Sequence, residues 1–402
     1  MQYRIDPRSG NRLSVLGLGC MRFPGYLRGR PDPAAAARII AAAVDAGVNY
    51  LDTAYVYRGS EQVTGEALER SGLRERVFLA TKLPHGKVRA PQDLGRLFGE
   101  QLSRLRTDHV DYYLVHNLTS SAQWERLRGL GFEEWAAHER RSGRLRELGF
   151  SFHGASGDFA VLLGVYDWDF CQIQYNYMNE TYQAGTAGLA AAAARGLAVV
   201  VMEPLLGGKL ADGMPRAAAR ELRRADPARD PASWGLRWVW DHPEVTVALS
   251  GMTSPEQVVA NARVAADALP GCLSAEERAA IGRTRDVLER LDKVGCTGCG
   301  YCMPCPRGVN IPGTFAAYNA SYAFGRMTGV QQYMTASSAA SDHPRLASSC
   351  VSCGACVRRC PQHIDIPAEL ARARRRLEPA PVALALRLMR EHAQRGKAKR
   401  DE

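Results

Sequence analysis

Residues 77–117, VFLATKLPHGKVRAPQDLGRLFGEQLSRLRTDHVDYYLVHN, carry the reading that decides the fold. Two short β-like runs, VFLATKL and VDYYLVHN, flank QDLGRLFGEQLSRLRT, whose apolar residues recur at spacings of three and four. That spacing marks a helix with one buried face, whereas a short apolar run marks a strand covered on both faces. Outward from this unit the same alternation runs from Ser14 to about Met252. Further strands are expected at SVLGLG, VNYLDTA, RELGFSFHG, FCQIQYNYM, LAVVVMEPLL and VTVALSGM, with helix-like stretches such as PAAAARIIAAAVDAG between them. Eight strand–helix units over roughly 250 residues predict a closed α/β (β/α)8 TIM barrel. A doubly wound sheet needs a glycine-rich nucleotide turn after its first strand, and LGLGCM is too short and irregular for one.

Before the barrel, Gln2 to Asp6 and Arg12 to Val15 around PRSGN predict a hairpin that plugs its floor. After it come two helices, SPEQVVANARVAADAL and LSAEERAAIGRTRDVLERL; Ser274 with Glu277 fits a capping box at the start of the second. A different composition begins near Lys293. Eight of the eleven cysteines fall in two runs, Cys296, Cys299, Cys302 and Cys305 closed by Pro306, and Cys350, Cys353, Cys356 and Cys360 closed by Pro361. The second run is C-x2-C-x2-C-x3-C-P, the pattern of bacterial iron–sulfur ligation, and the first is one residue short before its last Cys. Two [4Fe–4S] clusters follow from this doubling. Zinc is the competing reading, but it usually takes two separated C-x2-C pairs. Disulfides require an exported chain, and MQYRIDPRSG shows no signal region. The helix-prone segment between the runs, IPGTFAAYNASYAFGRMTGVQQYMTAS, predicts a mainly α-helical ferredoxin-like module in which each fourth Cys serves the opposite cluster. Cys20, Cys171 and Cys272 stand alone and read as buried small apolar residues. The organisation is therefore a barrel over 1–285, an iron–sulfur domain over 286–372 and a basic, partly helical tail over 373–402.

At 402 residues the chain exceeds one ordinary core, in keeping with two domains. The formal net charge is +10. Two clusters, each about −2 with its four thiolates, would remove roughly four of these. The excess is densest in ARARRR (371–376) and RLMREHAQRGKAKR (387–400), which lack interleaved aromatics and read as solvated surface rather than a nucleic-acid site. A basic surface near a cluster could dock an acidic external electron carrier such as ferredoxin. The longest apolar stretch, GLAAAAARGLAVVVM, is broken by Arg195 and glycines, so no membrane span is expected. Oxygen-sensitive centres and the lack of an export signal point to the cytoplasm.

In a barrel of this kind chemistry sits at the C-terminal ends of the strands. Those ends offer Asp52, Lys82 and His116, with Tyr57 in the loop past Asp52. A phenol titrates near 10 and donates a proton at neutrality only with help. An ammonium beside it favours the phenolate, a carboxylate holds that ammonium, and a histidine aligns a carbonyl oxygen. Any one of the four, taken singly, also fits a structural role.

With these residues on the page, LDTAYVYRGSE, ATKL and YLVHN resemble the aldo-keto reductases, and the two cysteine runs resemble the C-terminal extension of the subgroup with a ferredoxin-like domain. That subgroup has the shortened CTGCGYCMPCP form. The resemblance implies the catalytic tetrad Asp52, Tyr57, Lys82 and His116, with Tyr57 preferred to Tyr55 by its distance from Asp52. It implies a nicotinamide cofactor, NADPH or NADH, across the barrel mouth, and a small-molecule carbonyl substrate. Its cofactor contacts carry over to Gly19, Cys20 and Met21 after the first strand, Ser151 and Gln172 at the carboxamide, Met202 at the ring face, Leu205, and Gln257 and Asn261 near the adenosine. Phe152 replaces the usual asparagine, and Gly251 and Gln257 stand where cations commonly meet a 2′-phosphate. NADH and NADPH thus both stay open.

A hydride carries two electrons whereas a cluster accepts one, and no flavin motif bridges the two halves. Three readings follow. The barrel reduces a carbonyl with NAD(P)H beside structural clusters; or clusters deliver single electrons into the barrel; or the protein is a redox-sensing or electron-carrying module whose barrel only binds.

Overall fold

A computed structural model describes residues 1–25, 31–154, 156–296, 302–337, 345–360, 362–382 and 384. The hairpin is β1 (Tyr3–Ile5) with β2 (Arg12–Ser14), antiparallel in the register Tyr3↔Ser14. Eight parallel strands then close a barrel: β3 (Leu16–Gly19), β4 (Tyr50–Asp52), β5 (Phe78–Leu83), β6 (Val110–Leu118), β7 (Leu145–Phe152), β8 (Phe170–Gln174), β9 (Ala198–Met202) and β10 (Val247–Ser250). The ring closes where β10 pairs with both β9 and β3. The strand expected from each of the eight runs is present.

The barrel is a packed core rather than a pore. Tyr50, Ala80, Tyr112, Leu114, Phe170, Ala198, Val200, Val247 and Leu249 form one buried cluster. Its aromatic centre stacks edge to face, with Tyr112 at 5.2 Å from Tyr50 and 5.0 Å from Phe170. Gly149 makes room for the Phe170 ring, since a Cβ there would lie 2.7 Å from it. The hairpin turn meets this core from below: the Tyr112 hydroxyl donates to Asp6 Oδ2 at 2.8 Å and accepts from Asn11 Nδ2 at 3.1 Å. A buried phenol is thereby satisfied and the floor is closed.

The capping box is made as read: Ser274 N donates to Glu277 Oε2 at 2.7 Å, and Glu277 N donates to Ser274 Oγ at 3.1 Å. Cys20 and Cys171 are fully buried. Cys272 is a correction: it is only half-buried, because it lies in a short turn with its thiol directed at Arg237 O. Among the described residues no helix is long and apolar enough to cross a membrane.

The chain divides into two compact units, one of Met1–Asp212 with Asp226–Arg278, the other of Gly213–Ala225 with the chain from Ala279 onward. The second unit is helical. Its helices Ile311–Ala323, Arg326–Ala336 and Ile366–Leu377 bury Phe315, Tyr318, Tyr333, Ile366, Leu370 and Leu377. Two of these helices start alike, each a few residues past a Cys–Pro pair. Asn310 accepts from Gly313 N (3.1 Å) ahead of Ile311–Pro312, and Asp365 accepts from Ala368 N (3.2 Å) ahead of Ile366–Pro367. A capping side chain followed by proline in the first turn is a strong helix start, and here it is used twice. ARARRR lies within the third helix, where Arg376 stacks on Tyr322 at 3.9 Å and donates to Ser321. RLMREHAQRGKAKR lies outside the described residues.

Candidate functional site

Because the barrel strands are parallel, their C-terminal ends converge at one mouth. Asp52 ends β4 and Lys82 is the penultimate residue of β5. Lys82 Nζ donates to Asp52 Oδ1 at 2.5 Å and to Thr53 O at 2.8 Å. The other carboxylate oxygen accepts from Gln172 Nε2 on β8 at 2.9 Å. With side-chain exposures of 1% and 5%, this is a buried ion pair whose charges are each met by a further hydrogen bond. Such pairs are tolerated only when satisfied this way, and they fix geometry more than they add stability.

Lys82 is also held through its backbone. Its carbonyl accepts from Gln101 Nε2 at 3.0 Å, and the same amide donates to Glu61 Oε1 at 2.8 Å. Thr81 Oγ1 donates to that oxygen at 2.7 Å, and Tyr113 donates to Gln101 Oε1 at 2.7 Å. Burial pushes the Glu61 carboxyl up, while Gln101, Thr81 and Arg104 pull it back through their hydrogen bonds. Glu61 and Gln101 are not among the site residues expected from the sequence. Their signal was a polar residue on the buried face of an amphipathic helix, which in isolation is weak.

Tyr57 brings its ring to 5.3 Å from Lys82 Nζ, and the ring stands at 6.0 Å and 88° to His116. Tyr55 faces elsewhere: its hydroxyl donates to Glu100 Oε2 at 2.9 Å, with the Arg104 guanidinium 4.1 Å from its ring. Burial holds His116 down to about 3, and the neighbouring Lys82, His153 and His85 act in the same direction. It is therefore neutral across the physiological range.

The residues assigned to a nicotinamide cofactor sort unevenly. Ser151 is buried and its Oγ accepts from Asn117 N at 2.8 Å, so its own hydrogen is directed elsewhere. Gln172 commits an amide hydrogen to Asp52, which leaves its carbonyl oxygen for a carboxamide. Met202 ends β9, half-buried against the barrel interior, and Leu205 follows half-buried in the next turn. Gly19 ends β3, with Met21 exposed two residues on. Cys20 is fully enclosed, with its thiol turned to Leu18 O. Gln257 is exposed, and its Oε1 accepts from Thr253 N at 2.8 Å; Asn261 donates to Ser250 Oγ at 3.2 Å. Phe152 is fully buried with its ring 5.0 Å from Phe159, so it packs away from the mouth. A buried hydroxyl and a half-committed amide at the ends of adjacent strands suit a nicotinamide carboxamide.

In the second unit Cys296, Cys302, Cys305, Cys350, Cys356 and Cys360 all pack on one apolar cluster. Cys356 lies within electrostatic reach of Cys350 and Cys353 of its own run and of Cys305 from the other. The fourth cysteine of the first run therefore lies near the third of the second, as a shared ligand set would require. Ser352 N points at Cys350 Sγ from 3.5 Å, and Ser352 and Gly354 have φ of 54° and 70°. Left-handed residues of this kind turn amides toward sulfur, as in the anion nests of iron–sulfur sites. Cys353 is exposed and Cys302 is 9% exposed. Cys299 and Pro361 lie outside the described residues. Among the described residues no three His, Cys, Asp or Glu side chains form a group that could hold a single metal ion. An apolar wall, converging sulfurs and an amide aimed at sulfur fit an inorganic cluster.

Comparison with known proteins agrees with both halves. The profile described as Aldo/keto reductase family matches residues 15–272, and that of the 4Fe-4S dicluster domain matches residues 295–364. YrpG of Bacillus subtilis, described as an uncharacterized oxidoreductase, is 28% identical over 307 residues, covering 64% of this chain and 89% of that one. Protein Tas of Escherichia coli is 27% identical over 326 residues, covering 65% of this chain and 92% of Tas. The holo form of aldo-keto reductase AKR11C1 from Bacillus halodurans superimposes with a TM-score of 0.58 at 26% identity, covering 71% of this chain and 96% of that one.

Proposed function

The chain belongs to the aldo/keto reductase family and carries a 4Fe-4S dicluster domain, and from that premise we propose that its barrel interconverts a carbonyl and an alcohol with NADPH or NADH. The observation that carries the proposal is the nearness of the Tyr57 ring to both the Lys82 ammonium, at 5.3 Å, and the His116 ring, at 6.0 Å.

When bound, the nicotinamide supplies or accepts the hydride; Ser151 and Gln172 would hold its carboxamide. Tyr57 gives its phenolic proton to the substrate oxygen as that oxygen becomes an alkoxide. Lys82 makes the transfer accessible near neutrality, because a fixed ammonium favours the phenolate left behind. Asp52 and Thr53 O hold the ammonium in place, and Gln172 holds Asp52. His116, kept neutral, offers a ring N–H to the carbonyl without competing for the proton.

The test is Tyr57→Phe on anaerobically purified protein, assayed by nicotinamide oxidation against a panel of aldehydes and ketones. Loss of general acid catalysis lowers kcat about 10²–10⁴-fold, with nucleotide binding retained. Turnover equal to wild type would refute the assignment.

In the second unit, two [4Fe–4S] clusters would be held by Cys350, Cys353, Cys356 and Cys305, and by Cys296, Cys299, Cys302 and Cys360. The exposure of Cys353 favours a further reading, in which the first of these clusters exchanges single electrons with an external carrier. Reduction of the clusters by a reduced ferredoxin, followed by electron paramagnetic resonance, tests it; clusters silent to every carrier would leave them structural.

A further inference from the structure

The strand-ten segment lacks the cations that a dinucleotide's phosphates call for. Gly251 has no side chain, and Gln257 is occupied in closing the Thr253 turn, accepting from its amide at 2.8 Å and its hydroxyl at 3.1 Å. In closed α/β barrels phosphate sites form at the loops after the seventh and eighth strands, which here follow β9 and β10.

A cation reaches that place from the far side of the ring closure. Arg22 ends the short turn Cys20–Arg22 after β3. Its aliphatic stem lies along Gly251, where an added Cβ would be 3.5–3.8 Å from Arg22 Cδ, Cβ and Cγ. Its Nη1 donates to Gly207 O at 2.9 Å, in the turn after β9. One side chain thus spans the loops after three strands. The guanidinium is exposed and forms no ion pair among the described residues. Of its five N–H groups, one is committed to Gly207 O and the others are left for a ligand.

The turn it rests on is shaped for close approach. Gly207 and Gly208 have φ of 68° and 91°, and a Cβ on Gly207 would lie 3.1 Å from Arg22 Nη2. A side chain at 207 would push the guanidinium away, and one at 208 would cover the backbone. Lys209 follows, half-buried; burial and the nearby Arg22 both weigh against its charge, and Glu203 favours it. Two cations gathered beside a bare glycine pair offer the charge and the open backbone that a phosphate calls for.

We infer that Arg22, anchored on Gly207 and flanked by Lys209, is the clamp for the pyrophosphate of the nicotinamide dinucleotide. This rests on the reductase reading above. The pyrophosphate is common to NADH and NADPH, so the clamp serves both and selects neither. The arginine does from the first loop what the glycine and glutamine of the last cannot.

The experiment is fluorescence titration of the full-length holoprotein with NADH and with NADPH, for wild type, Arg22→Ala and Arg22→Lys, with ADP and 2′-AMP as competitors. Arg22→Ala is expected to weaken both dinucleotides by the same factor, roughly ten- to hundredfold, the usual loss for a hydrogen bond to a charged group. ADP competition falls with it, whereas 2′-AMP, which has no pyrophosphate, competes as before. Arg22→Lys recovers part of the loss, keeping charge but not the two-pronged fork. Unchanged dinucleotide binding in Arg22→Ala overturns the inference. So does a loss confined to NADPH and 2′-AMP, which would assign the guanidinium to the 2′-phosphate. Binding of neither dinucleotide by wild type would instead sink the reductase reading, and the clamp with it.

Discussion

In the barrel, the Lys82 ammonium has two protein acceptors and the Asp52 carboxylate has donors on both oxygens. In the helical unit, the thiols of Cys305, Cys350 and Cys353 lie within electrostatic reach of Cys356. Thiols brought together raise the cost of ionising each, unless an iron–sulfide core draws off that charge. One site is thus satisfied by protein atoms alone, and the other is a set of sulfur donors whose charge calls for a metal core. Size sharpens the contrast. The barrel has a closed ring of eight strands around an aromatic core. The second unit rests on three described helices of 11 to 13 residues after Val309, too short to be stable on propensity alone.

The largest effect should therefore come from stripping iron. All six tryptophans, Trp124, Trp135, Trp168, Trp234, Trp238 and Trp240, belong to the first unit. Tryptophan emission accordingly reports on the barrel, while far-ultraviolet circular dichroism reports on both units. Anaerobic chelation is expected to melt the second unit, because binding energy there is folding energy. Helical signal falls, proteolysis opens the chain beyond Ala279, and tryptophan emission holds. Loss of both signals together would erase the contrast.

A smaller effect, confined to the other side, is expected from Lys82→Met. It removes one partner of a buried pair and strands the Asp52 charge, which costs about 3–5 kcal/mol. The tryptophan-monitored denaturation midpoint falls while the iron–sulfur absorption stays. Adding Asp52→Asn returns much of the loss, since the stranded charge is then gone. A midpoint unchanged in Lys82→Met would mean that the pair is hydrated after all.

How much of this was legible in the chain depends on reach. The strand ends carrying Asp52, Lys82 and His116 could be read because a residue's place on a parallel strand fixes its height in the barrel. The doubled cysteine runs could be read because a two-residue gap is itself the ligand spacing. Arg22 could not be so read: a long side chain that bridges the loops after β3, β9 and β10 leaves no local pattern. Phe152 stands where the family's usual residue is asparagine, and where its ring would go was not legible: it packs onto Phe159, while the neighbouring Ser151 meets Asn117 N. Gln172 was read as a ligand group, and its bond to Asp52 makes it a support as well. Arg216–Ala225 lies within the barrel's span of sequence, yet its contacts group it with the iron–sulfur unit, where Arg283 approaches Glu221 at 3.5 Å. Such pairings are long-range facts that periodicity cannot carry.

The smallest predicted effect concerns acid, and it sharpens the same comparison because the barrel's response should come from its own side chains. At the mouth, burial holds His116 down to about 3, against an ordinary value of 6.5. Between those pH values the unfolded chain binds a proton that the folded one refuses, so stability rises with pH and is lost as pH falls from about 6.5 toward 3. At the floor, burial raises Glu147 from 4.5 to about 7, with Asp169 and Asp6 adding to it. There the folded chain keeps a proton that the unfolded one releases, so this contribution is lost as pH rises from about 4.5 toward 7. From pH 4.5 to 6.5 the two oppose each other. Each single titration is worth at most about 1.4 kcal/mol per pH unit. Tryptophan-monitored unfolding should accordingly be shallow in pH for wild type, steeper with the same sign in Glu147→Gln, and displaced toward the opposite sign in His116→Asn. The circular dichroism of the iron–sulfur unit should ignore both substitutions, since its acid limit is protonation of the thiolates that hold metal. If His116→Asn leaves the barrel's slope untouched, the imidazole is solvated in the folded protein, and the neutral hydrogen-bond donor assigned to the mouth is lost with it.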